Sequence, residues 1–139
     1  MLAEINDISH PKQLNPITLA YIGDVVYELL VRTKVVKENG SMPANMLHKT
    51  SVGYVKAASQ SKGVDAILDL LSEEEMAVYK RGRNSSSSQV PKNATACDYR
   101  KATGLETLFG FLYLMGQNKR IDELFNVIIR KIEEENNIE

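Results

Sequence analysis

From Ile17 to Val31 the apolar residues Ile17, Leu19, Ala20, Ile22, Val25, Val26, Leu29, Leu30 and Val31 fall on nearly every face of a helix. Asn15 followed by Pro16 is a cap and a first-turn proline, so the helix starts there. A helix this apolar belongs in the centre of a core or across a subunit interface. A second helix is expected from near Pro43 to about Lys62, burying Met46, Leu47, Val52, Val55 and Ala58, with Gly63 as its left-handed stop. A short helix over Asp65 to Leu71 comes third. The next is announced by Ser72-x-x-Glu75, a capping box whose three acids suit the helix dipole, and ends at Lys80-Arg81-Gly82. Thr95-x-x-Asp98 can cap a further helix, in which Ala102, Leu105, Leu108, Phe109, Leu112 and Met115 recur up to Gly116. Ile121, Leu124, Phe125, Ile128 and Ile132 mark the last one.

No stretch alternates with period two, and the one Asn-Gly, Asn39-Gly40, joins two helical patterns instead of two strands. The chain is therefore expected to be all-α, with residues 1–139 forming a single domain. Within it, 84–94 reads as a flexible serine-rich loop and 133–139 as an acidic tail. A loop of that length occurs within single domains.

Composition narrows the class. Of 139 residues, 43% are hydrophobic and 25% charged, and no apolar run approaches the ~18 residues that span a bilayer. Cys97 alone cannot form an internal disulfide, and Met1 to Gln13 lacks the layout of a secretory signal, so a cytoplasmic location is expected. The net charge of -1 conceals an asymmetry. Lys80, Arg81, Arg83, Lys92, Arg100 and Lys101 stand against Asp98 alone, leaving +5 in that segment and -6 elsewhere. Such concentration points to a local polyanion contact, or else to ordinary solvated loop charge.

Two acids interrupt apolar helices. Asp24 lies in Tyr21-Ile22-Gly23-Asp24-Val25-Val26-Tyr27-Glu28, where a buried carboxylate would protonate, find a partner, or hold a metal. Gly23 beside it weakens the helix by roughly 1 kcal/mol relative to Ala, which implies close approach of another backbone or a ligand. Glu106 lies in Ala102-Thr103-Gly104-Leu105-Glu106-Thr107-Leu108-Phe109-Gly110. Two carboxylates from two helices suit magnesium, which takes one or two and keeps several waters, provided the helices pack side by side. Glu28, one turn from Asp24, is either a supporting group or a structural one. There is no phosphate-binding loop, nucleophile elbow or His-Glu-x-x-His motif, and His10 and His48 with one cysteine make zinc improbable. His48 fits the core edge better than a phosphate contact, and Tyr99 fits a core position better than a nucleic-acid contact.

The stretch Leu19-Ala20-Tyr21-Ile22-Gly23-Asp24-Val25-Val26-Tyr27-Glu28-Leu29 resembles the signature helix of the ribonuclease III catalytic domain, and Leu105-Glu106-Thr107-Leu108-Phe109-Gly110 resembles its second acidic motif. Arg81-Gly82-Arg83-Asn84 and Tyr99-Arg100-Lys101-Ala102-Thr103-Gly104 are similar to the Mini-III branch, which has no appended double-stranded-RNA-binding domain. The resemblance covers essentially the whole chain. It implies a homodimeric endoribonuclease, dependent on magnesium with manganese as the substitute, that cleaves double-stranded RNA. Precursor large-subunit ribosomal RNA is the implied substrate and a ribosomal protein an implied partner. Asp24 and Glu106 would be the catalytic, metal-binding acids. The sequence departs from the larger family at Ala20, Ile17 and Thr103, where acids are usual, so fewer protein ligands would serve each site.

Magnesium chemistry suits phosphodiester hydrolysis without a histidine base. A twofold dimer through the first helix would oppose two sites, matching the antiparallel strands of a duplex. A-form RNA hides its base edges, so recognition should rest on shape and phosphates, with Lys80, Arg81, Arg83, Asn84, Lys92 and Arg100 as the clamp. The competing readings are a non-catalytic double-stranded-RNA-binding protein of ribosome assembly and a helical protein-interaction domain.

Overall fold

The computed structural model describes residues 10–85, 90–92 and 94–136. After a 3₁₀ turn at Pro11–Gln13 come α1 (Pro16–Asn39), α2 (Ala44–Val55), α3 (Ala57–Ile67), a second 3₁₀ turn at Leu68–Leu70, α4 (Glu73–Ser85), α5 (Ala96–Leu114) and α6 (Asn118–Asn136). Among the described residues there is no strand, as the sequence pattern predicts.

The expected caps are in place. The Asn15 side chain accepts from the Ile17 N–H at 2.8 Å, and Thr95 Oγ1 accepts from the Asp98 N–H at 3.0 Å. Ser72 and Glu75 form the reciprocal box: Ser72 N–H donates to Glu75 Oε1 at 2.8 Å and Glu75 N–H to Ser72 Oγ at 3.1 Å. Arg120 of α6 then donates to both oxygens of Glu75 at 2.9 Å, fastening the start of α4 to α6. Gly116, at φ 72, stops α5 as expected.

α5 is the central helix, packed against α1, α4 and α3, with α6 laid across α3. Leu105, Leu108, Phe109, Phe111 and Leu112 are fully enclosed. Tyr27 joins α1 to this core through edge-on contacts with Phe109 and Phe125, ring centres 5.8 and 5.7 Å away. α1 and α5 cross with their main chains touching. A Cβ on Gly23 would lie 2.6 Å from the Glu106 carbonyl carbon, and one on Gly110 would lie 2.8 Å from that of Leu19. No side chain larger than hydrogen fits at either point. The close approach that Gly23 implied is therefore made by the backbone of α5.

Several boundaries differ from the sequence pattern. α1 continues past Val31 to Asn39, because Val35 is still buried and only Gly40, at φ 54, turns the chain. The helix expected over 43–62 is two helices. Lys56 adopts an extended conformation (φ -61, ψ 151) between them, and Ser59 Oγ donates back to the Gly53 carbonyl at 2.6 Å. Gly63 is inside α3, where Ile128 of α6 packs onto it, so it is a contact and not a stop. Asp65 belongs to α3, and beyond that helix Leu68–Leu70 form only the 3₁₀ turn. Gly82 likewise lies inside α4, against Thr107, and the helix runs on through Asn84 and Ser85, which shortens the expected loop. The remainder of that loop at 86–89 and 93 lies outside the described residues. Glu133 to Asn136, expected as tail, is the last turn of α6; Glu133 accepts from the Tyr54 hydroxyl at 3.0 Å and pairs with Lys34 at 3.3 Å. Residues 137–139 lie outside the described residues.

Candidate active site

The α1–α5 crossing sets Asp24 beside Glu106. Because Gly23 rests on the main chain of Glu106, the next residue on α1 brings its carboxyl beside that of Glu106, and the two line one cleft. Asp24 is exposed, contrary to its expected burial, because it lies at the open edge of the α1–α5 contact, where the cleft begins. Glu106 is half-buried and the less exposed of the two. Burial pushes its carboxyl up to about 8, the charge of Asp24 and then of Glu28 add to the rise, and a hydrogen bond from Gln60 opposes it. With its carboxyl pushed up this far, Glu106 holds its proton near neutrality unless a cation lies beside it.

The pair opens into a cleft of about 370 Å³. Its walls are Ile17, Ala20 and Tyr21 of α1, Ser85 at the end of α4, and Tyr99 and Thr103 of α5. The three positions that depart from the larger family, Ile17, Ala20 and Thr103, thus line this same cleft. The Thr103 hydroxyl is turned to its own helix, donating to the Tyr99 carbonyl at 3.0 Å. Among the described residues no group of three or more potential metal-ligating side chains forms. The donor set is two carboxylates and open space, which fits a hard divalent cation that retains its waters. Such a cation would relieve the repulsion that raises Glu106. Glu28 is engaged elsewhere: its Oε1 accepts from Arg32 Nη2 at 2.8 Å and Nε at 3.1 Å.

The basic residues lie around the α4–α5 connection, whose ends Ser85 and Tyr99 form one wall of the cleft. Lys80, Asn84, Lys92 and Arg100 are exposed. Arg83 stacks over the Tyr79 ring at 5.7 Å and donates to the Asn84 side chain at 3.2 Å. Arg81 is occupied with the fold, since its guanidinium donates to the carbonyls of Lys12 at 2.6 Å and Leu14 at 3.2 Å and holds the first turn against α4. Tyr99 is half-buried at the wall, and His48 is exposed on α2, far along the chain from these groups.

The sequence pattern does not single out Gln60. It is 3% exposed, and its Nε2 donates to the Val55 carbonyl at 2.8 Å and to Glu106 Oε2 at 3.4 Å. The only signal for it was a glutamine on the inner side of a small-residue helix.

Residues 17–117 match the ribonuclease III domain. The chain is 46% identical to a Mini-ribonuclease 3 of Clostridium tetani, over 88% of this chain and 82% of that protein. It is 47% identical to a Mini-ribonuclease 3 of a Thermoanaerobacter species, over 87% and 84% of the two chains. The fold is similar to the X-ray crystal structure of a Fusobacterium nucleatum protein, with a TM-score of 0.76, 28% identity, and coverage of 86% of this chain and 94% of that one.

Proposed function

Because this chain belongs to the ribonuclease III domain family, we propose that it is an endoribonuclease that hydrolyses double-stranded RNA with a divalent cation held by Asp24 and Glu106. The observation that carries the reading is that these two carboxyls, from two crossing helices, line one open cleft. Magnesium is the expected ion, with manganese as its substitute. Bound there, it supplies positive charge at the scissile phosphate and an acidified attacking water, the two requirements of phosphodiester hydrolysis.

The protein's own groups supply the rest. Asp24, which faces solvent, and Glu106, which accepts from Gln60, would hold the ion. Lys80, Arg83 and Asn84 of α4, Lys92 of the connection and Arg100 of α5 belong to the segment whose Ser85 and Tyr99 line the cleft, and they would bind the phosphates on both sides of the cut. Arg81 supports that surface by anchoring the first turn to α4, and reaches RNA only by giving up those bonds.

The exposed face of α1 favours a homodimer. Tyr21 is 80% exposed, Val25 60% and Ile17 44%, an apolar stripe at helical spacing immediately beside Asp24. Burying it against its twofold copy sets two clefts in opposite sense, each addressing one strand of a duplex. Among the described residues no helix is long and apolar enough to cross a membrane. We assign the protein to the cytoplasm, with precursor large-subunit ribosomal RNA as substrate and a ribosomal protein as its presenting partner.

The test is a denaturing gel of a long RNA duplex, its separate strands and the equivalent DNA duplex, each incubated with the protein and magnesium. Cutting of the RNA duplex alone is expected. Salt-sensitive duplex binding with no cutting would instead favour a non-catalytic protein of ribosome assembly.

A further inference from the structure

We propose that Gln60 is a positioning residue for the cation site: it acts through Glu106, fixing the carboxylate so that its free oxygen faces Asp24. This rests on the reading that Asp24 and Glu106 hold the ion. The geometry originates at the break between α2 and α3. Lys56 leaves the helical conformation there, so the Val55 carbonyl receives no bond from the helix and turns to Gln60 Nε2 at 2.8 Å. A carbonyl only accepts, so the amide nitrogen must face Val55. The orientation of the side chain is thereby set, and the same nitrogen's second hydrogen is directed at Glu106 Oε2, 3.4 Å away.

The other half of the amide argues for function. Gln60 Oε1 is buried and has no hydrogen-bond partner among the described residues. A buried acceptor left unmade works against folding, and an apolar side chain of the same length would avoid that cost. The one feature that an apolar residue could not reproduce, beyond the Val55 bond, is a donor aimed at Glu106. Groups that orient a metal-ligating side chain typically change metal affinity or activity by 10–100-fold when removed.

The experiment compares wild type, Gln60→Met and Asp24→Asn. Manganese binding is followed by water-proton relaxation without RNA, and kcat and KM are measured on an RNA duplex at saturating magnesium. For Gln60→Met, manganese half-saturation is expected to rise about tenfold, and kcat to fall about tenfold with KM for the duplex unchanged. Wild-type affinity and kcat in this variant would overturn the proposal. A second measurement needs no substitution: the Gln60 side-chain amide resonances of the wild type are expected to shift on magnesium addition, and amide signals that stay still while the ion binds would also overturn it. This second arm decides the matter if Gln60→Met fails to fold. Absence of manganese binding by wild type would sink the site reading itself, and the role of Gln60 with it, whereas binding lost in Asp24→Asn but kept in Gln60→Met would sink only the latter.

Discussion

Gly23 and Glu106 touch main chain to main chain, and that single contact serves both the fold and the site. It lets α1 and α5 cross without an intervening side chain. It also fixes the position of the next residue, so that an exposed Asp24 and a half-buried Glu106 line the same cleft.

Gly23→Ala should therefore act far beyond its helix propensity, which by itself favours Ala by roughly 1 kcal/mol. A Cβ there would lie 2.6 Å from the Glu106 carbonyl carbon and 2.8 Å from the Gly110 nitrogen, both main-chain atoms with no rotamer to change. A net loss of about 3 kcal/mol in urea unfolding is expected. A stabilised variant would show that the helices do not cross this closely.

The raised Glu106 carboxyl makes stability depend on pH. With its pKa moved from 4.5 to about 8, the folded chain holds more protons than the unfolded chain between those values. Stability without metal should consequently fall as pH rises through that window. Glu106→Gln has no such group, so its thermal midpoint should overtake that of wild type between pH 5 and pH 8 in chelator. Parallel pH profiles for the two proteins would contradict the assignment.

Val25→Lys places a charge in the exposed stripe of α1 without disturbing the core or the cleft, since Val25 is 60% exposed and is not among the cleft walls. Sedimentation is expected to give a dimer for wild type and a monomer for the variant, whose helical content stays unchanged. Cleavage of both strands should fall with the dimer. A wild-type monomer at working concentration would remove the stripe as an interface.

Lys80→Gln and Arg100→Gln should weaken duplex binding without altering the site. For each phosphate that is no longer neutralised, the slope of log affinity against log salt should drop by about 0.9 if the duplex behaves as B-DNA does. Unchanged slopes would mean that these exposed charges lie off the RNA path.

Local chemistry was legible in the sequence and long-range geometry was not. Asn15, Thr95 and the Ser72–Glu75 box act on their own backbones, so their roles could be read directly. The Lys56 break could not, because no Pro or Gly marks it; it is held by distant partners, among them Tyr27, whose hydroxyl donates to the Tyr54 carbonyl at 3.3 Å. Gly63 and Gly82 look like helix stops in one dimension and are packing contacts in three. Asp24 and Glu106 could be picked out because each breaks an apolar pattern. Which of them is buried depended on the side of α1 that meets α5, and the role of Gln60 depended on both the Lys56 break and that crossing.

The most direct test of the two-carboxylate site is cleavage of a long RNA duplex by wild type and Asp24→Asn, with magnesium and with a chelator. Cutting by wild type is expected only with magnesium, and activity in Asp24→Asn at no more than about a hundredth of that, with helical content retained. Cutting by Asp24→Asn at the wild-type rate, or by wild type in chelator, would contradict the assignment of a metal-dependent nuclease built on these two acids.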